Sequence, residues 1–370
     1  MRDVFELVAI CDADAAHAEN VAGRHSVRAY GSVRELVRRE TLDAAAISTP
    51  GDSHHAIGAF LAEHGVHLIV ETPIATTLRL ADVLLEAVRR NGVRLEVAEN
   101  YPREPRHLFK RDLIASGAIG GVLRVISLFQ TGGYHIISSV RMLAGSDALR
   151  ATSIRQRRDI PRVNVSDTRQ YTSEDWTMGV VDFRNGAIGL TAYSEIVHGR
   201  ALGRKEKPLQ EVDGTTGSIV EDTVFLTTEE QRLNGGRAAG APIRARWRDT
   251  DQGRVLERLE LEGDVSYTWD NPFPQYAVGE GSLAIIEEMD SLARAVRDGV
   301  PTRYTGEMGR HDQEISFAIE ESGRRDRAPV ALPLDFETAD EAAVHDRLHR
   351  QHGVDPTDWD RMVDCFFPRV

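Results

Sequence analysis

The sequence predicts an α/β leading third built on a parallel sheet, followed by a sheet-centred α+β domain. Three observations carry this. Through residue 100, apolar runs of strand length alternate with stretches of helix length. Those runs are near-continuously apolar and end in a polar tip, as strands covered on both faces do. After residue 121 the alternation stops, and strand-like runs follow one another across turn signals such as Asn185-Gly186.

Each element has its own reason. "ELVAICD" (6–12) reads as a buried strand, and "DAAHAENVAGRH" (14–25) as a helix with Asp14 as N-cap. "SVRELVRRETL" (32–42) places Ser32 ahead of a helical pattern with Glu35 three residues on, a capping box. "DAAAISTP" (43–50) is the second strand, closed by Pro50. "HHAIGAFLAEHG" (54–65) is a helix that Gly65 stops. "VHLIVETP" (66–73) is the third strand, "TLRLADVLLEAVRRNG" (77–92) a helix, and "VRLEVAEN" (93–100) the fourth strand. A helix with a glycine stop follows at 103–121. Strands are then expected at 122–129, 176–197, 209–228 and 254–263, and helices at 282–299 and 308–325. "RQRRD" (155–159) reads as a solvated loop. The expected domains are 1–118, 119–335 and an acidic helical tail at 336–370.

Composition narrows the function. The chain has 370 residues, 41% hydrophobic and 28% charged, which fits a globular protein with ample core. Its formal net charge of −13 argues against a nucleic acid or an anionic membrane as partner, since phosphates need a basic footprint. Cys11 and Cys365 are far apart and belong to no Cys-x-x-Cys pair, so neither a disulfide framework nor a zinc knuckle is expected. No apolar run approaches membrane-spanning length, and the cytoplasm is the expected compartment.

In parallel sheets ligands gather beyond the carboxyl ends of the strands. The residues there are Asp12, Ser48-Thr49-Pro50, Glu71-Thr72-Pro73 and Glu99-Asn100-Tyr101. One polar strand tip means little; a row of them makes a rim.

"ELVAICDAD", "AAAISTPGDSHHAIGAFLAEHGVHLIVETPIATT", "IASGAIGGVLRV", "GGYHIISSVRMLAG", "VDGTTGSIVED" and "AVRDGVPTRYTGEMGRHDQEISFAIEES" occur in that order. Together they resemble the Gfo/Idh/MocA oxidoreductases over roughly residues 6 to 335. The resemblance implies a Rossmann domain plus a domain with a large open, mostly antiparallel sheet. It also implies hydride transfer between NAD or NADP and a sugar-like or cyclitol-like carbon, in a homodimer or homotetramer. On that reading Asp12 accepts from the ribose hydroxyls and repels a 2′-phosphate, which favours NAD over NADP. Ser48, Thr49 and Pro50 line the adenine side, with His54 as a cap or turn residue of the cofactor rim. Glu71, Thr72, Pro73 and Glu99 complete that rim.

Two departures from the family stand out. Its Gly-x-Gly-x-x-Gly fingerprint precedes the equivalent of "ELVAICD", yet Met1 stands only a few residues before that strand. The first strand and its glycine-rich loop are therefore expected to be absent, between "ELVAICD" and "DAAAISTP". The explanations are a start called too far downstream, a fragment, or neighbours that close up, and weak or no dinucleotide affinity is expected. Secondly, the family's Glu-Lys-Pro is Glu71-Thr72-Pro73 here. A threonine hydroxyl donates one hydrogen bond but carries no charge.

"TGGYHIISSVRMLAG" (131–145) resembles the family's Asp-x-Gly-x-His-x-x-Asp, with His135 on the histidine and Thr131 and Ser138 on the acids. Histidine suits proton shuttling near neutral pH, so His135 is the expected catalytic base. Its duller alternative is a structural histidine at a helix start. Tyr134, Arg141, Asn100 and Tyr101 are the expected substrate-binding residues; a solvated face is the alternative for Arg141. The rival function is a degenerate relative that binds a ligand or partner without turnover. Two motifs are set aside. "GEGSLA" (279–284) lacks a βαβ frame. His345, His349 and His352 share one helical face, more often a surface helix than a zinc site, and no metal is expected.

Overall fold

A computed structural model describes residues 1, 3–128, 133–164, 170–194, 209–263 and 266–368. By its contacts the chain divides into two units. The first is Met1–Glu99 with Ile285–Gln313 and Glu337–Val370; the second is Asn100–Ala284 with Glu314–Phe336. The boundary thus falls at Glu99 rather than 118, and the tail expected to stand apart belongs to the first unit.

The first unit has the predicted strand–helix alternation. β1 (Ala9–Cys11) leads to α1 (Ala15–His25), where the Asp14 carboxylate accepts from the His17 N–H as its N-cap. β2 (Arg28–Tyr30), a strand not expected from the sequence, pairs parallel with β1. It is three residues long, too short for a periodic signal. α2 (Val33–Arg39) begins after Ser32, but the Ser32 side chain makes no cap hydrogen bond, so the expected capping box is not formed. β3 (Ala44–Ile47), α3 (Gly51–Glu63), β4 (His67–Glu71), α4 (Leu78–Asn91) and β5 (Leu95–Ala98) follow. Thr77 caps α4 at its start and Gly92, at φ +64°, ends it.

The parallel strands form two sheets, β1–β2 and β3–β4–β5. β1 and β3 are not paired with each other, so the neighbours do not close up. β3 is correspondingly half-open: Ala44 and Ala45 are partly exposed and Ala46 is exposed, whereas Leu68 and Val70 of β4 are fully buried. The core of this unit packs Leu68, Val70, Ile74, Leu80, Leu84 and Val97 between sheet and helices. The tail helices α10 (Ala339–His352) and α11 (Trp359–Met362) add to it through Leu348 and Trp359. The three tail histidines take separate partners. His345 bonds Glu337 and Thr77, His349 bonds the Val354 carbonyl, and the His352 ring packs on Phe367. No metal-holding cluster occurs among the described residues.

The second unit opens with a 3₁₀ turn (Tyr101–Arg103) and α5 (Pro105–Ala115). Its nine-stranded sheet runs β13-β12-β11-β10-β6-β9-β8-β7-β17, antiparallel except for β6–β9. Its strands are β6 (Val122–Leu128), β7 (Ala148–Asn164), β8 (Gln170–Phe183), β9 (Ile188–Ser194), β10 (Leu209–Gly214), β11 (Gly217–Val220), β12 (Thr223–Leu226), β13 (Gly240–Pro242) and β17 (Val330–Ala331). β14 (Arg244–Thr250), β15 (Gly253–Leu261) and β16 (Tyr267–Asp270) make a smaller sheet. "RQRRD" is not a loop: it lies inside β7, where Arg155 pairs across to Asp175 of β8. Its run of polar and charged residues hid that strand from a reading based on apolar runs. Residues 195–197, expected to end a strand, lie outside the described residues.

Alternation sets the two faces of the large sheet. Val125 and Val181 are buried beneath helices, while Ile126, Leu190 and Val180, side by side on adjacent strands, are only half-buried. α6 (Gly133–Ala144) seats on the covered face because Gly189 of β9 has no side chain; a Cβ there would come within 2.7 Å of Val140 Cγ1.

Gly214, at the end of β10, is tighter still. A Cβ on it would lie 2.1 Å from the Ile119 carbonyl oxygen, and because that obstacle is backbone it has little room to relax. Gly214→Ala is therefore expected to destabilise the protein by about 2–3 kcal/mol. A urea midpoint unchanged from wild type would contradict the close approach.

Candidate cofactor and catalytic site

The expected site residues divide between the units. Asp12, Ser48, Thr49, Pro50, His54, Glu71, Thr72, Pro73 and Glu99 belong to the first; Asn100, Tyr101, Tyr134, His135 and Arg141 belong to the second.

In the first unit, β1 delivers Asp12 to its carboxyl end. The Asp12 N–H donates to the Tyr30 carbonyl, and its Oδ1 accepts from the Asp14 N–H at 2.9 Å. The residue that caps α1 thus also fixes the acid beside it. Oδ2 lies 3.9 Å from His17 Nε2, and the side chain is 21% exposed. The carboxylate is thus anchored at the strand tip and partly open to solvent. Burial and the Asp12 charge push the neighbouring Cys11 thiol up to about 11, so it stays protonated and is no nucleophile.

The tips of β3 and β4 are tied by His54. It is 1% exposed; its Nδ1 lies 2.8 Å from the Pro73 carbonyl and its Nε2 2.7 Å from the Thr49 carbonyl. One imidazole thus sits between the two loops, its ring N–H donating to one of the two carbonyls. Thr49 Oγ1 shares a 2.7 Å hydrogen bond with Ser53 Oγ, which also bonds the Pro50 carbonyl. Pro50 leads into α3, whose first residue, Gly51, lies beside Pro73. The Thr72–Pro73 peptide is cis. The Thr72 N–H donates to Glu71 Oε2 at 3.1 Å, and Glu71 is exposed. Glu99, expected on the rim, is fully buried instead.

One acid of this unit was not foreseen. Glu96, inside β5, is 0% exposed; it accepts from the Tyr304 N–H at 3.1 Å and from the Ser291 hydroxyl. The signal was present: an acid within an apolar strand run must find donors once buried.

In the second unit, the His135 ring stacks on Tyr101, centroids 5.0 Å apart and planes at 28°, and meets Tyr134 edge-on at 5.9 Å. α6 and the 3₁₀ turn thus bring together three residues expected at the substrate side. Ser138, on the second acid position of the family pattern, is fully buried, and its hydroxyl donates to the His135 carbonyl at 2.9 Å. It serves the helix backbone. Thr131 lies outside the described residues. Arg141 is 9% exposed, which rules out the solvated face as its setting. The sequence reading also missed a buried polar network on α5. Lys110 donates to Gln210 Oε1 at 2.9 Å and pairs with Asp222, while Gln210 also bonds His107. Burial lowers the Lys110 pKa, with Asp222 opposing.

A fold with parallel strand tips carrying Asp12 and stapled loops fits a dinucleotide, and comparison with known proteins agrees. A family model described as oxidoreductase family, NAD-binding Rossmann fold, matches residues 1–99. D-apiose dehydrogenase of Paraburkholderia graminis is 33% identical over 119 residues; the match spans about a third of that relative, 32% of its length and 32% of this chain. Inositol 2-dehydrogenase 2 of Saccharopolyspora erythraea is 26% identical, covering 75% of this chain and 84% of the relative. Among solved structures, a levoglucosan dehydrogenase in complex with NADH and levoglucosan aligns with a TM-score of 0.66 at 24% identity, covering 88% of this chain and 90% of that one.

Proposed function

Because the chain belongs to the Gfo/Idh/MocA oxidoreductases, we propose that it passes a hydride between NAD and a sugar-like or cyclitol-like alcohol or carbonyl. The observation that carries this reading is the pairing of Asp12 at the tip of β1 with His54 locking the tips of β3 and β4. Asp12 would accept from the adenosine ribose hydroxyls, and the Thr49 and Pro73 loops would flank the cofactor. When bound, NAD supplies the hydride acceptor at its nicotinamide ring. His135 would take the hydroxyl proton of the substrate, its ring held by Tyr101. Tyr134, Arg141 and Asn100 would orient the substrate.

Asp12→Ala is expected to weaken NADH binding roughly ten- to a hundredfold, the worth of a charge-assisted hydrogen bond, and to leave NADPH affinity nearly unchanged. Equal NADH affinities in variant and wild type would remove Asp12 from the site.

The overall test is NADH fluorescence titration followed by a panel of sugars and cyclitols with NAD. Saturable NADH binding is expected, and a folded sample that binds no NADH would contradict the proposal. One panel member should be turned over. Thr72, neutral where the family pattern has a lysine, favours the second reading, a relative that binds its ligand without turnover. Cofactor binding with no turnover across the panel would select it. A homodimer or homotetramer is part of the proposal: Ile126, Leu190 and Val180 are half-buried and Ile188 is 41% exposed on the open sheet face.

A further inference from the structure

The strand that the sequence reading took for a loop lines a cavity of about 410 Å³ in the second unit. Arg155, Arg157, Arg158 and Arg327 surround it, with Gln156 and Trp176. This is a concentration of positive charge on a chain whose formal net charge is −13. The cavity lies along a free edge. β17 pairs with β7 only at Ala151 and Arg150, so beyond Ala151 that edge has no strand partner among the described residues.

α9 (Gly306–Arg324) ends against this edge. Gly323 packs on the stem of Arg155, where a Cβ would come within 2.9 Å of Arg155 Cβ. The chain then turns through two consecutive left-handed residues, Asp326 at φ 52° and Arg327 at φ 69°. Neither is glycine, and this conformation costs on the order of 1 kcal/mol per residue. The turn is pinned by the Arg327 N–H donating to the Ser322 carbonyl at 2.9 Å. It brings Arg327 to the cavity.

The four guanidinium groups are not equivalent. Arg155 is neutralised, paired with Asp175 and with Glu320. Arg157 donates to the neutral Ser173 hydroxyl at 3.3 Å. Arg158 faces Glu174 in the strand register, but neither it nor Arg327 has a carboxylate within 4.0 Å among the described residues. Arg157, Arg158 and Arg327 thus line one small hollow, and none of the three has a carboxylate within 4.0 Å among the described residues.

We propose that this cavity is a binding site for a small phosphate-bearing molecule, its phosphate held by Arg157, Arg158 and Arg327 and its body laid along Trp176. Guanidinium is planar and offers paired donors matched to phosphate oxygens. A neutral sugar would not need such charge, and a cation would be repelled. The volume suits a ligand the size of a sugar or nucleoside phosphate. A long nucleic acid needs a basic track over a surface, which an acidic chain with one cationic hollow does not present. The indole of Trp176 supplies an apolar wall for a sugar or base ring. The site lies wholly within the second unit.

Inorganic pyrophosphate is the probe, titrated calorimetrically into wild type and into the double variant R158A/R327A at fixed ionic strength. Wild type is expected to bind it, and the double variant to bind roughly ten- to a hundredfold more weakly. R158K/R327K should recover only part of the loss, because an ammonium lacks the fork. Both substitutions are at exposed positions, and a matching circular dichroism melt checks that the variants fold. No binding by wild type, or equal binding by wild type and R158A/R327A, would overturn the proposal. So would a variant that dissociates from an oligomer while pyrophosphate binds neither form, since the arginines would then belong to subunit pairing.

Discussion

Replacing His135 by alanine is expected to lower kcat/KM by roughly 10²–10⁴-fold, the usual worth of a general base. The geometry gives the imidazole a fixed pose. Its ring lies on Tyr101 at 5.0 Å and against the edge of Tyr134 at 5.9 Å, so a substrate hydroxyl would meet an oriented base. Alanine also removes the stacking, so a second variant separates chemistry from packing. His135→Asn keeps a polar planar group of similar reach but cannot shuttle a proton at neutral pH, and it should be as slow as alanine. The limb of the pH–rate profile that reports the base should vanish in both. Slow turnover in H135A with wild-type turnover in H135N would make His135 a structural residue. With Thr72 neutral and Ser138 bonded to its own helix, no other residue on the family's acid–base pattern is described in a position to take that proton.

Acidification from pH 7 to about pH 4 is expected to cost the fold roughly 3 kcal/mol through His55 alone. His55 is 0% exposed in α3; its Nε2 lies 2.8 Å from the Pro356 carbonyl, and Nδ1 has no partner among the described residues. Burial pushes its pKa down from 6.5 to about 4, with the Pro356 contact opposing. The sign follows directly. Between 6.5 and about 4 the unfolded chain takes a proton that the folded chain refuses, so stability falls as pH falls through that window. Below about 4 both states are protonated and this contribution levels off.

Asp52, on the same helix, acts in a different window. Burial raises its pKa, but the hydrogen bonds from Arg347 outweigh that and hold it below the usual carboxylate value of 3.8. Its stabilisation is present above that value and is lost only at lower pH. Urea midpoints measured between pH 7 and 4.5 check the first window. Wild type should lose stability across it, and His55→Gln, which keeps a donor but does not titrate, should change little. A wild-type curve flat over that range would remove His55 as its cause. The same window should loosen the tail, since Val354 and Met362 pack on Ala56, the residue after His55.

Much of the first unit was legible because its information is local. An apolar run bounded by a polar tip is a buried strand wherever it pairs, and Asp14 and Gly65 signal helix ends within a few residues. What escaped was non-local or short. β2 has three residues, and Ser32 had the right neighbours for a capping box that did not form. β7 is stabilised by cross-strand charge pairs such as Arg155–Asp175, twenty residues apart in sequence, which no periodicity in "RQRRD" reveals. The candidate site divides the same way. Asp12 and His135 could be named from strand ends and motif resemblance. The lock that His54 places between Thr49 and Pro73, and the burial of Glu99 and Arg141, could not.

Sequence alone determined where backbone prefers strand or helix, which residues end each element, and which residue types stand at the strand tips. These follow from dihedral preference and hydrophobic period, properties of neighbours along the chain. Tertiary structure alone decided which strands pair, that residues 285–313 and 337–370 return to the leading unit, and which charges meet partners. Those outcomes depend on contacts between segments tens to hundreds of residues apart, where burial turns a charged side chain from a solvated ornament into a group that must be paired, shifted or left facing a ligand.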